Sequence, residues 1–242
     1  MPLLSLEGNI GSGKSTLLKK LRETYPEWIF LDEPVNEWTG VKNPETGQNI
    51  IECFYSDQEK YAFSFQILAY ITRLKKLLAL KDQRLDSSTP PPVIVTERSI
   101  DTDHYVFAKM LYDDGKISPI DWQIYQQYIY TFSKECQVDA VVYVETPPET
   151  CLERIKIRDR EGESSITLDY LSSCHRYHQD WLNSTTNQYP IYHLNASPSL
   201  TDESYWGVQL EKINHFITTT PNSTESPTQI LLPPHPSSQK HI

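Results

Sequence analysis

Glycine is scarce in this chain of 242 residues: there are eight, and Gly8, Gly11 and Gly13 fall within one stretch of six residues. Such clustering marks a backbone with unusual conformational demands. Positive charge is also in short supply, with 22 Lys+Arg against 32 Asp+Glu and a formal net charge of -10. That balance excludes a general nucleic-acid coat, which needs a basic surface, so no nucleic-acid partner is expected; one small basic pocket remains compatible with it. The four cysteines, Cys53, Cys136, Cys151 and Cys174, show neither C-x-x-C nor zinc-ligand spacing and read as reduced thiols, which sets the expected compartment as cytoplasmic. No run approaches the roughly 18 apolar residues of a membrane span, so no membrane partner is expected. The opening segment MPLLSLEGNIGSGKST lacks the basic region and long apolar stretch of a secretory signal, and the expectation is a chain without one. There is no internal repeat.

Proline is plentiful, at 17, and five of these fall after residue 220. The stretch 218–242 is rich in Ser, Thr and Pro and without helical periodicity, a composition that buries too little apolar surface to offset its ordering entropy. A disordered tail is expected there, behind one domain spanning 1–217. Within that domain, short apolar runs alternate with helical patterns. Leu3–Leu6, Trp28–Leu31, Val93–Val95, Asp139–Val144 and Tyr189–Leu194 read as strands. Ser15–Glu23, Phe63–Lys81, Asp121–Lys134, Pro147–Arg158 and Tyr205–Ile217 read as helices. Strands alternating with helices predict an α/β fold with a parallel sheet covered on both faces.

The glycine cluster lies in Gly8-Asn9-Ile10-Gly11-Ser12-Gly13-Lys14-Ser15-Thr16, which fits G-x-x-x-x-G-K-[ST] between an apolar run and a helix. Glycines let backbone N–H groups approach phosphate oxygens, and the helix start adds its positive end. Lys14 then reaches the β/γ-phosphates and the Ser15 hydroxyl serves Mg²⁺. The pattern makes a nucleoside triphosphate the expected ligand but leaves the phosphate acceptor open. The guanine-nucleotide signature N-K-x-D is absent.

Four further clusters carry suitable chemistry. Glu33, after the second strand, is placed to accept a proton from an attacking hydroxyl. Glu97 and Arg98, after the third strand and close to Asp103, suit metal or its waters and transition-state charge respectively. On and just before the long helix stand Tyr55, Phe65, Gln66, Ala69 and Arg73, of which Gln66 and Arg73, seven apart, share a face. A carboxamide there suits the edge of a nucleobase, and Asp103 is a fitting partner for Arg73 if that face is buried. Arg154, Arg158 and Arg160 concentrate positive charge in an acidic chain and suit a lid over triphosphate.

Taken in order, G-N-I-G-S-G-K-S-T, E-P-V-x-x-W, F-S-F-Q with an Arg seven later, E-R-S-x-x-x-D-x-x-x-F and P-E-T-C-L-x-R-I-x-x-R-x-R resemble the deoxynucleoside kinases, and within them the deoxycytidine/deoxyguanosine kinase-like branch. The resemblance covers Leu3 to Ile217. It implies a P-loop nucleoside kinase fold with a five-stranded parallel sheet flanked by helices, and usually a homodimer. It implies ATP, or another nucleoside triphosphate, as donor with Mg²⁺, and a deoxynucleoside as acceptor. By position, Glu33 would be the general base on the 5′-hydroxyl, Arg98 would assist at that oxygen, and Ser15 and Glu97 would serve the metal. Tyr55 and Glu163 would hold the sugar 3′-hydroxyl. Val35, Trp38, Phe65 and Phe107 would wall the base, and Gln66 would pair with its edge. Arg73 and Asp103 match a pair of the deoxycytidine and purine branch, so those deoxynucleosides are expected ahead of thymidine. A thymidine-preferring or broad-specificity kinase is the alternative, and a non-catalytic P-loop subunit a more distant one. The segment Asn195–Asp202 departs from the family's Asp-rich loop, which leaves the donor open between ATP and another triphosphate.

Overall fold

The computed structural model describes residues 2–82, 93–132, 136–160, 162–184, 189–198 and 202–220. Five strands form one sheet: β1 (Leu3–Glu7), β2 (Ile29–Leu31), β3 (Ile94–Glu97), β4 (Ala140–Glu145) and β5 (Ile191–Asn195). Their order is β2-β3-β1-β4-β5, and every pairing is parallel. Parallel strands need crossovers, and helices supply them. Around the sheet lie α1 (Lys14–Thr24), α2 (Val35–Thr39), α3 (Ile50–Ser56), α4 (Gln58–Asp82), α5 (Ile100–Thr102), α6 (Lys109–Asp113), α7 (Pro119–Phe132), α8 (Pro148–Arg158), α9 (Leu168–Leu182) and α10 (Glu203–Thr219). A π-helical turn, Asp103–Ala108, joins α5 to α6.

Strand alternation divides the apolar residues between two cores. Leu3, Ile94, Val141 and Tyr143 face the layer holding Tyr70 and Leu74 of α4, Tyr125 of α7 and Trp181 of α9. Leu4, Leu6, Val95, Val142 and Val144 face Leu17 and Leu21 of α1 and Trp206 and Ile213 of α10. Because both faces are covered, the central strands read as continuous apolar runs. The edge strand β2 is only half-buried along its length.

Several boundaries differ from the sequence reading. Helix α4 begins at Gln58 rather than Phe63, because the chain turns into it directly from α3. That helix, α3, lies outside the helical patterns of the sequence, although Asn49 and Glu52 form a capping box at its start. Helix α9 is likewise additional to the expected helices; Thr167 caps it and Leu171, Cys174, His178 and Trp181 form its buried stripe. Helix α10 continues to Thr219, two residues past the expected domain end, capped at its start by Asp202. The expected tail from residue 221 onward and the proline loop at 89–92 lie outside the described residues.

Strand order sets the site. The chain leaves β1 toward β2 on one side and later crosses from β3 to β4 on the other. The carboxyl ends of β1 and β3 therefore flank a crevice, where open α/β sheets bind ligands.

Candidate functional site

Over those strand ends lies a cavity of about 300 Å³. The glycine-rich loop between β1 and α1 forms its floor. A Cβ at Gly8 would lie 2.5 Å from the Val144 carbonyl oxygen, and one at Gly11 would lie 2.6 Å from that of Cys151. Both also sit at positive φ, 141° and 76°, so both positions require glycine. Ile10, Gly11, Gly13, Lys14, Ser15 and Thr16 line the cavity. Gly8, Asn9 and Ser12 shape the loop from behind. Asn9 donates to the Leu171 carbonyl at 2.8 Å, and the Ser12 carbonyl accepts from Thr146 and Arg154.

Lys14 is buried and donates to the carbonyls of Gly8 and Asn9 at 3.1 and 2.7 Å. Burial above all, with the nearby Arg98 guanidinium, presses its ammonium down to about 8. The next residue, Ser15, donates to Glu97 at 2.8 Å. Burial and the Glu33 charge raise the Glu97 carboxyl above its ordinary value, against the pull of Lys14.

Glu33 and Arg98 face each other across the crevice. Arg98 Nε lies 3.2 Å from Glu33 Oε1, and Arg73 Nη2 lies 3.7 Å from it. Burial works to raise the Glu33 carboxyl, but Arg98, Arg73 and Lys14 together hold it below the ordinary carboxylate value. Glu33 is therefore an ionised acceptor at neutral pH. Arg98 also donates to the Gly8 carbonyl at 2.8 Å, which ties this pair to the phosphate loop.

Deeper in the cavity, Arg73 reaches Asp103 Oδ2 at 3.0 Å and Oδ1 at 3.4 Å, and the Glu97 carbonyl at 2.7 Å. This is the partnership expected from the sequence, and both side chains are buried. Gln66 sits beside them, 3% exposed, with its amide oxygen unpartnered. An unpaired buried acceptor lining a cavity is a group prepared for a ligand donor. Val35, Trp38, Phe65 and Phe107 also line the cavity. Trp38 is fixed by its indole N–H donating to Thr72 at 3.0 Å and by an edge contact with Phe65 at 5.4 Å. Arg98 lies over the Phe107 ring, 4.8 Å from its centre.

Tyr55 faces Tyr170 edge-on at 5.8 Å, and burial holds the Tyr55 hydroxyl above its ordinary value, so it stays a protonated donor. Tyr170 lines the cavity too, as do Ile51 and Phe54. These three lie on α3 and α9, outside the helices expected from the sequence. At the mouth, Arg158 and Arg160 both reach Glu163, at 2.6 and 3.4 Å. Arg154 instead donates to the carbonyls of Ser12 and Ala196, at 3.1 and 2.8 Å. It thus joins the phosphate loop to the segment after β5, of which residues 199–201 lie outside the described residues.

The structure therefore brings every sequence-predicted site residue to one cavity or its supporting loop. The oxygen donors of Ser15 and Glu97, adjacent to the phosphate loop, fit a hard divalent cation such as Mg²⁺, which takes few protein ligands and completes its shell with phosphate and water oxygens. Among the described residues no helix is long and apolar enough to cross a membrane.

The sequence model of the family described as "Deoxynucleoside kinase" matches residues 4–218. The chain is 31% identical over 237 residues to deoxycytidine kinase of Homo sapiens, covering 89% of this chain and 91% of that protein. It is 32% identical over 212 residues to deoxycytidine kinase 2 of Gallus gallus, covering 81% and 80%. It is 31% identical over 211 residues to the mitochondrial deoxyguanosine kinase of Xenopus laevis, covering 81% and 79%.

Proposed function

The chain belongs to the deoxynucleoside kinase family, and from that membership we propose that the cavity holds a deoxynucleoside with its 5′-hydroxyl between Glu33 and Arg98. It is a kinase with a nucleoside triphosphate as phosphate donor. The acceptor end of the cavity carries the reading. A carboxylate held ionised beside an arginine, at the end of a phosphate loop, suits a neutral hydroxyl. A nucleotide acceptor would instead call for added cations around its own phosphate.

Phosphoryl transfer asks the protein mainly for positioning and charge stabilisation. The backbone of Gly8–Gly13 and the helix start cradle the donor phosphates, and ATP is the proposed donor. Lys14 leaves the loop carbonyls for the phosphate oxygens. Ser15 and Glu97 would hold Mg²⁺, which neutralises charge on those oxygens when bound. Glu33 accepts the 5′-hydroxyl proton, and Arg98 stabilises the charge developing at the transferring oxygen. Tyr55 and Glu163 bind the sugar 3′-hydroxyl. Arg154, Arg158 and Arg160 form the cationic rim over the donor, Arg158 and Arg160 being held toward Glu163 in this arrangement.

Deoxycytidine and purine deoxynucleosides are the proposed acceptors, ahead of thymidine, in a salvage role. The support is the buried Arg73–Asp103 pair beside Gln66, whose unpartnered oxygen suits an exocyclic amino donor. Phe107 would stack on the base between walls formed by Val35, Trp38 and Phe65. Initial rates over the four deoxynucleosides with ATP and Mg²⁺ test this. Monophosphate formation that favours deoxycytidine, deoxyadenosine or deoxyguanosine over thymidine is expected. A thymidine preference, or phosphorylation of monophosphates instead, would refute it.

Exposed Ile120, Ile124 and Tyr128 line one stripe of α7, which supports a homodimer through helices; sedimentation of the protein tests it. No disulfide joins Cys53, Cys136, Cys151 or Cys174, which supports a reducing, cytoplasmic compartment. The kinase unit is proposed to end with α10, so a chain stopped after Thr220 is expected to keep its activity.

A further inference from the structure

Glu7 ends β1 immediately before Gly8 of the phosphate loop and is completely buried. Its carboxylate accepts four hydrogen bonds, all from uncharged donors. Oε1 takes the Ser99 backbone N–H at 3.0 Å, the Ser99 hydroxyl at 2.7 Å and the Ser5 hydroxyl. Oε2 takes the Thr102 hydroxyl. Burying a carboxylate is unfavourable unless it is hydrogen-bonded, and here both of its oxygens accept bonds.

What those donors surround is Arg98. This residue has φ 67°, a left-handed conformation that a non-glycine residue adopts only when its surroundings hold it there. The Arg98 N–H bonds the Leu6 carbonyl at 3.0 Å, immediately before Glu7. Its carbonyl accepts from the Thr96 hydroxyl at 2.9 Å. The amide that follows it, Ser99 N–H, ends on Glu7. Ser99 and Thr102 then bracket α5, with the Ser99 hydroxyl capping the Thr102 N–H at 3.3 Å. Glu7 thus ties the end of β1 to both ends of the first turn after Arg98, and the guanidinium emerges toward Glu33 and Gly8.

We propose that Glu7 is a positioning residue for phosphoryl transfer: its buried carboxylate holds the Arg98–Ser99 turn left-handed and so aims the Arg98 guanidinium at the reacting oxygen. The proposal rests on the role given to Arg98 above. Glu7→Gln keeps the shape but removes the carboxylate charge and turns one acceptor atom into a donor, facing the Thr102 hydroxyl in the place of Oε2 or the Ser99 amide and two hydroxyls in the place of Oε1. Misplacement of a guanidinium by an ångström is worth up to about a hundredfold in rate.

The test is a double-mutant cycle on kcat with deoxycytidine and ATP-Mg²⁺, comparing Glu7→Gln in wild-type and Arg98→Ala backgrounds. Glu7→Gln is expected to lower kcat about tenfold to a hundredfold with Arg98 present, with KM for the deoxynucleoside moving less than threefold, and to lower it less than twofold once Arg98 is gone. Equal losses in both backgrounds, or no loss in either, overturn the proposal. Arg98→Ala alone at wild-type rate instead overturns the role of Arg98, so the two failures are distinct. Should Glu7→Gln not fold, Thr102→Val removes one donor to the carboxylate isosterically. It is expected to show a smaller loss of kcat with the same dependence on Arg98, and independence from Arg98 overturns the proposal.

Discussion

Nucleotide binding above neutral pH should take up a proton at Lys14. In the free protein this ammonium is buried, bonded to the neutral carbonyls of Gly8 and Asn9, and pressed down to about 8 by burial and Arg98. Phosphate oxygens arriving in the loop favour the charged form and return it to or above its ordinary value near 10.5. With those two values, uptake is about 0.1 proton at pH 7, about 0.5 at pH 8 and about 0.9 at pH 9. Affinity therefore weakens with rising pH, approaching about tenfold per unit above pH 8. Stability moves in the opposite sense. The folded value lies below the unfolded one, so the unfolded chain holds more protons between about 8 and 10.5, and this group makes the free protein more stable as pH rises through that window. Calorimetric titration of nucleotide in buffers of different ionisation enthalpy reads the uptake directly. Lys14→Arg supplies the control, because a guanidinium stays charged throughout. Absence of uptake at pH 9 in the wild type, or equal uptake in the Arg variant, would refute the reasoning.

Two other perturbations follow from the geometry. Arg73→Met leaves Asp103 buried without its partner and should lower unfolding stability by about 3–5 kcal/mol, read by denaturant titration. The double variant Arg73→Met with Asp103→Ala should recover part of that loss and raise the thymidine-to-deoxycytidine ratio of kcat/KM; an unchanged ratio counts against the specificity reading. Gly11→Ala places a methyl group against the Cys151 carbonyl at 2.6 Å and at a φ of 76°, so nucleotide affinity should fall at least tenfold, as measured by calorimetry at pH 7.

What was legible in the sequence was local. The phosphate loop announced itself because its glycines, Lys14 and Ser15 act through adjacent backbone. The central strands were visible because burial on both faces leaves unbroken apolar runs, as in Ala140–Val144. Gln66 and Arg73 fell on one face because two helical turns separate them. Helix α9 was legible in principle, through Thr167 and the spacing of its buried stripe, but polar residues between those positions obscured it. The left-handed turn at Arg98 was not legible, since nothing in E-R-S marks it. It arises from Leu6, Glu7 and Thr96 on two neighbouring strands, which only the register of β1 on β3 brings together. Nor was the attachment of Arg158 and Arg160 to Glu163, which depends on how the chain turns after α8 at Asp159, itself left-handed at φ 47°.

The claim that Glu33 is the base for a deoxynucleoside 5′-hydroxyl is tested most directly by Glu33→Gln in single-turnover phosphorylation of deoxycytidine, alongside equilibrium binding of the nucleoside. The amide keeps the size and the contact with Arg98 but cannot accept the proton. Transfer should slow by about 10²–10⁴-fold while the nucleoside Kd changes only a few-fold. Transfer at the wild-type rate with binding intact would contradict the assignment.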